Sequence, residues 1–204
     1  MSGNETKTAA VKPDRRVIRT RDTLGDALVE LIREKPFDEI TVRQILDRAG
    51  VGRSTFYTHY RDKEDLFLSD VEDFFALFST ALTRNGADLR RLVPVAEFCA
   101  HIADMRDFIA ALHASGKMDD VFKLGRGFFA RSIEERLRLA GVAGDPARLA
   151  AQAHALAGSL FALIDWWIDH GMKTDPKEID AVFHRMAWNG ISGGALPGSN
   201  PEKK

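Results

Sequence analysis

The sequence predicts an all-α protein of about nine helices, with an N-terminal three-helix helix-turn-helix domain ahead of a larger helical domain. Three observations predict it. Apolar residues recur at intervals of three and four along most of the 204 residues. Asp-Pro and capping-box starts alternate with Gly stops at regular distances. No stretch shows the strict alternation of a half-buried strand.

Residues 1–12 lack an apolar period and read as a disordered arm. The first helix carries Leu24, Ala27, Leu28 and Leu31 on one face. Thr41-Val42-Arg43-Gln44 has the form of a capping box, in which the Thr hydroxyl and the Gln amide satisfy N–H groups left open at a helix start. That helix runs to about Ala49, and Gly50 follows where a positive φ stops it. A second short helix begins near Arg53 and presents Ser54, Thr55, Tyr57, Thr58 and His59, with Phe56 and Tyr60 turned inward. Asp62 caps the next helix, predicted from Lys63 to about Thr83, with acidic residues in its first turn.

After a break at Arg84 to Asp88, the pattern predicts one helix from Pro94 to about Ser115, with Phe98, Ile102, Met105, Ile109 and Leu112 at helical spacing. Further helices are expected from about Met118 to Ala140, from Pro146 to His170, and from Pro176 to about Asn189. Asp145-Pro146 and Asp175-Pro176 mark the last two starts. Residues 192–204 read as a disordered tail.

Two short helices joined by a tight Gly turn, the second dense in polar donors, are the parts of a DNA reader. Residues 16–68 resemble the N-terminal domain of the tetracycline-repressor (TetR) family of bacterial transcriptional regulators. The likeness rests on the first helix, Phe37 to Val42, the Ala49-Gly50-Val51 turn, Phe56-Tyr57, His59-Tyr60 and Lys63-Glu64-Asp65-Leu66. Gly52 departs from it, because the family more often places Ser or Thr at that cap. The expected boundaries are 13–68 for the DNA-binding domain and 69–191 for a ligand-binding and dimerisation domain.

The DNA contacts expected are Thr41, Arg43, Arg53, Ser54, Thr55, Tyr57, Thr58, His59 and Lys63. Arg43 and Arg53 would read base edges, while Tyr57, His59 and Lys63 would hold phosphates. The formal net charge is −1, which excludes a blanket polyanion binder. Basic residues outnumber acidic ones only in the N-terminal quarter, where Arg15, Arg16, Arg43, Arg53, Arg61 and Lys63 would converge on double-stranded operator DNA.

The single cysteine, Cys99, rules out an intrachain disulfide and fits a cytoplasmic setting. No secretory segment and no run of eighteen apolar residues is apparent, so no membrane association is expected. A phosphate loop, a nucleophile elbow and metal-ligand spacing are all missing, and the six histidines are scattered. Neither catalysis nor a metal or cofactor is expected.

The resemblance implies homodimerisation through the last two long helices. Ala153, Leu156, Ala157, Leu160 and Ile164 would form the seam with Val182, Phe183 and Met186. It also implies a small apolar or aromatic effector held between the middle helices by Phe98, His101, Met105, Phe122, Phe129, His154, Phe161 and Trp166. Simple core packing is the competing reading of those aromatic residues. Two alternatives to a ligand-responsive repressor stay open: an architectural or cell-division factor with a protein partner, and a helical enzyme on a borrowed DNA-binding fold.

Overall fold

The computed structural model describes residues 15–84 and 89–191, except for the side chains of residue 77 and residues 79–84. The expected arm, the turn at 85–88 and the tail lie outside the described residues. Among those described the protein is all-α. Its helices are α1 (Arg15–Glu34), α2 (Val42–Ala49), α3 (Arg53–His59), α4 (Lys63–Arg84), α5 (Val95–Asp104), α6 (Arg106–Ala114), α7 (Met118–Leu139), α8 (Pro146–Asp169) and α9 (Pro176–Ile191), with a 3-10 turn at Phe37–Glu39. The chain divides into two compact units, Met1–Phe67 and Leu68–Lys204, and α4 runs through the division.

In the first unit the apolar face of α1, comprising Leu24, Ala27, Leu28, Leu31 and Ile32, is buried with Phe37, Ile40, Ile45, Phe56, Tyr60 and Leu66. The Thr41 hydroxyl accepts from the Gln44 N–H at 3.3 Å, and the Gln44 amide oxygen accepts from the Thr41 N–H at 3.0 Å. The capping box is therefore formed, and it sets where α2 begins. Gly50 ends α2 at φ 64°, a conformation that a side chain disfavours. Arg48 reaches back to α1, donating to Glu34 at 2.9 Å through each terminal nitrogen and to Glu30 at 3.0 Å. This fork fixes the angle at which α2 lies on α1.

In the second unit α7 and α8 form the largest helix pair, and α5 lies on α9. Phe75, Phe98, Phe122, Phe129 and Phe161 form one aromatic cluster with ring centroids 5.3–6.1 Å apart. Close approach at its centre depends on Gly125 of α7. A β-carbon there would stand 2.2 Å from the Phe161 ring and 2.6 Å from that of Phe75.

One expected helix is two. The apolar spacing from 94 to 115 continues without interruption, yet the backbone turns at Met105 (φ −102°, ψ 24°), separating α5 from α6. A tertiary tie holds the new direction: Arg106, at the start of α6, donates to the Gly171 carbonyl beyond α8 at 3.0 Å. Local spacing carries no trace of a partner 65 residues away.

Helix α8 is long and apolar enough by composition to cross a membrane, although charged residues interrupt its apolar run. Leu149, Ala153, Ala157, Leu160, Phe161, Ile164 and Trp167 on it are buried within the second unit itself. Its other side, with Ala151, His154, Ala155, Ala162 and Trp166, is exposed.

Where α5 meets α9, Asp180 accepts from the Ala96 N–H at 3.1 Å and lies 3.2 Å from His184 and 3.4 Å from Arg91. Burial works against ionisation of this carboxyl. The hydrogen bond with His184, the Ala96 N–H and the Arg91 charge outweigh it and hold Asp180 below the ordinary carboxylate value. A folded value below the unfolded value of about 4 stabilises the fold above that pH, and the stabilisation disappears as pH falls through the folded value. Asp180→Asn should therefore flatten the acid limb of a melting-temperature profile below about pH 4. An unaltered limb would assign acid unfolding to other carboxylates.

Candidate nucleic-acid interface

The first unit places most of the expected DNA contacts on one exposed surface. Arg53, Ser54, Thr55, Tyr57 and Thr58 stand outward along α3, while Phe56 and Tyr60 anchor the helix from the inside. His59 is half-buried at its end. Arg43 projects from α2 with 90% of its side chain exposed.

A surface groove of about 420 Å³ brings Arg43 of α2 together with Arg53 and Tyr57 of α3, floored by Val42, Leu46 and Val51. Within it the Arg53 guanidinium lies 5.6 Å from the centre of the Tyr57 ring. Stacking of this kind restrains a long side chain without removing its outward N–H groups, which suits a residue meant to meet a base edge. Asp47, absent from the expected contacts, lines the same groove 3.8 Å from Arg43. Its position one turn after Arg43 was the available signal.

Two assignments change. Lys63 was expected on phosphate, but its ammonium donates to the carbonyls of Phe37 (2.8 Å), Ile40 (2.9 Å) and Asp38 (3.2 Å) and lies 4.7 Å from the Phe37 ring centre. Those carbonyls use all three of its donors. Lys63 thus caps the 3-10 turn and ties it to α4. Arg61, counted among the converging cations, pairs with Asp65 at 3.0 Å, and that hydrogen bond raises its pKa further. Thr41 and Thr58 are also engaged locally, Thr41 as cap and Thr58 by donating to the Ser54 carbonyl at 2.9 Å.

Lys63→Met keeps the stem over Phe37 and deletes the three donors. It is expected to lower the stability of the first unit by roughly 1–3 kcal/mol, read by urea titration, because carbonyls lose a charged partner. An unchanged midpoint would return Lys63 to the phosphate contacts.

Residues 24–69, spanning α2, the Gly50 turn and α3, match the family profile described as bacterial regulatory proteins, tetR family. This match makes residues 24–69 a DNA-binding domain of the tetR-family type. The match covers the helix-turn-helix and the start of α4.

Over 60 residues the chain is 38% identical to the uncharacterized HTH-type transcriptional regulator YxbF of Bacillus subtilis (strain 168), an alignment covering 29% of this chain and 16% of that protein. Over 68 residues it is 31% identical to IcaR, the HTH-type negative transcriptional regulator of the biofilm operon icaADBC in Staphylococcus epidermidis, covering 33% and 37%. The chain thus spans well under half the length of these curated relatives.

The likeness of fold reaches further. Thermus thermophilus FadR, a TetR family transcriptional repressor solved in complex with lauroyl-CoA, superposes with a TM-score of 0.61 at 21% identity, over 90% of this chain and 99% of that one. The all-α arrangement of both units is therefore the TetR-family fold.

The residues expected to line an effector pocket do not gather as one site. Phe98, Phe122, Phe129 and Phe161 are packed on one another in the buried cluster. His101 is half-buried and stacks on Phe74 at 5.0 Å, and Met105 sits at the break between α5 and α6. His154 and Trp166 lie apart from that cluster. His154 is exposed on α8, bonded to the Ala150 carbonyl, and Trp166 is 47% exposed, stacked on His170.

The expected dimer seam is also corrected. Ala153, Ala157, Leu160, Ile164 and Phe183 are at most 2% exposed within this one chain. They form its own core and are not available to a second subunit. Leu156 is half-buried, while Val182 and Met186 are exposed on α9. Apolarity and periodicity marked the helices correctly but could not say which apolar side the chain keeps for itself.

Proposed function

We propose that this protein is a ligand-responsive transcriptional repressor that binds a palindromic operator as a homodimer and is released by a small apolar effector. The observation that carries the reading is the convergence of Arg43, Arg53 and Tyr57 on one exposed groove of a TetR-family helix-turn-helix. One recognition helix covers few base pairs, so genomic specificity calls for a two-fold pair spaced about 34–36 Å apart. The exposed side of α8 together with Val182 and Met186 supports the pairing. A helix this apolar, exposed on one whole side, needs a cover.

For the effector, the support is the aromatic interior and the lauroyl-CoA held by the structurally similar FadR. Because the Phe98, Phe122, Phe129 and Phe161 rings fill the space between helices, a ligand entering there must part them. A ligand that rearranges the packing of its host has different affinities for two conformations, which is the thermodynamic requirement for a switch. His101, at the cluster's edge, is the polar anchor.

Two measurements test the reading. Arg53→Ala should weaken the preferred operator by roughly 1–3 kcal/mol and broaden the selected consensus at one position per half-site. An unchanged consensus would take Arg53 off the bases. Titrating lauroyl-CoA with and without operator should give affinities differing by roughly 5- to 150-fold, operator and acyl chain opposing each other equally. Identical affinities, with binding confirmed, would reject release by this ligand and favour a partner-binding role for the second unit.

A further inference from the structure

A groove runs along α9, apart from the aromatic cluster. With a volume of about 780 Å³, it lies between α9 and the segment leading to α5, lined by Leu89, Arg90 and Arg91, Ala140 at the end of α7, and Asp180, His184, Arg185, Trp188 and Asn189. It shares no residue with the aromatic cluster. Its lining includes three arginines and one carboxylate, Asp180.

Its wall is held rigidly. Arg91 forks onto Glu97 and also touches Asp180, while Arg136 donates to the Arg91 carbonyl at 2.8 and 3.1 Å. His184 accepts the Leu92 N–H on Nε2 at 3.0 Å and turns Nδ1 towards Asp180, a pairing that sets its tautomer. Trp188 donates its indole N–H to the Arg90 carbonyl. What Trp188 retains for a ligand is its π surface.

The Asp180 carboxylate is taken up by Arg91 and His184, so Arg185, exposed at the edge of the groove, adds positive charge that it does not offset. We propose that this groove binds a small aromatic carboxylate, its ring against Trp188 and Leu89 and its anionic head on Arg185. Planar carboxylates match the guanidinium fork, and apolar surface beside a cationic rim favours an amphiphilic anion over a bare inorganic one. By helical periodicity Asp180, His184 and Trp188 lie on the side of α9 opposite Val182 and Met186. The part of the groove at those three residues therefore stays open when a second subunit covers that other side, with Arg185 at the edge between the two sides.

Calorimetry on the full chain with 2-naphthoate tests this, with 2-naphthalenemethanol and inorganic phosphate as controls. The expected result is one naphthoate per subunit, with the neutral alcohol on the order of tenfold weaker and phosphate failing to compete. Arg185→Gln, a change at an exposed position, should weaken naphthoate by about tenfold and leave the alcohol unaffected. Arg148→Gln, exposed at the start of α8, should change neither. Equal binding of naphthoate and alcohol, insensitivity to Arg185→Gln, or an equal loss in Arg148→Gln would overturn the proposal. Competition by phosphate alone would overturn its aromatic part. Because the acyl chain of the proposed effector would enter the Phe98 to Phe161 cluster, loss of lauroyl-CoA binding leaves this result intact, and the reverse also holds.

Discussion

Leu160→Asp is expected to unfold the second unit, whereas Met186→Asp should leave it folded and separate the proposed homodimer. Leu160 is fully buried, so a carboxylate there has neither water nor a counterion, a loss expected to exceed about 4 kcal/mol. Met186 is 60% exposed in the single chain, and Val182 beside it 39%. A charge at 186 is solvated in the monomer and stranded only on association. Circular dichroism should show helix lost in the first variant and kept in the second. Sedimentation should shift Met186→Asp to monomer, with operator affinity reduced by orders of magnitude. A folded, dimeric Met186→Asp would move the subunit contact elsewhere and leave the exposed side of α8 unexplained.

Gly125→Val is the second large effect. A β-carbon at 125 overlaps the Phe161 ring and comes within 2.6 Å of Phe75, and both rings are almost wholly buried among other aromatics. Neither can retreat without displacing Phe98 or Phe122 in turn. Overpacking of this kind typically costs about 1–3 kcal/mol, and the branched side chain places this site at the upper end. Chemical denaturation should show the loss. Phe161→Leu in the same chain should recover part of it, because a smaller partner makes room. No recovery would place the strain elsewhere than between residues 125 and 161. The pair also bears on the proposed effector, since a chain whose rings have been forced apart should bind lauroyl-CoA with altered affinity.

The reader domain was legible residue by residue because its determinants are local. Thr41 and Gln44, Gly50, and Asp62 with Asp65 each act within four positions, and the structure shows each cap formed with the partner that the spacing names. The outward set on α3 follows from a helix whose inner face is Phe56 and Tyr60. Lys63 was misread for the opposite reason. Its partners are 23 to 26 residues away, and only the folded turn aims three carbonyls at one ammonium.

The second unit shows the same division more sharply. Helical periodicity and the Asp-Pro and Gly signals located α7, α8 and α9 within a residue or two, since capping and φ preferences are properties of neighbouring residues. The break at Met105 leaves no mark on local spacing, and Arg106 ties it from outside the helix to the Gly171 carbonyl. Which apolar stripe of α8 belongs to the subunit's interior was equally hidden. Leu160 and Trp166 are both large and apolar, yet one is fully buried and the other nearly half exposed. Hydrophobic burial is non-directional, so composition states how much surface must be covered and not by what. From sequence alone came the helices, their ends and a DNA-reading surface. The partners of each face, including a groove behind α9 lined by three segments 40 to 100 positions apart, arose only when the chain closed on itself.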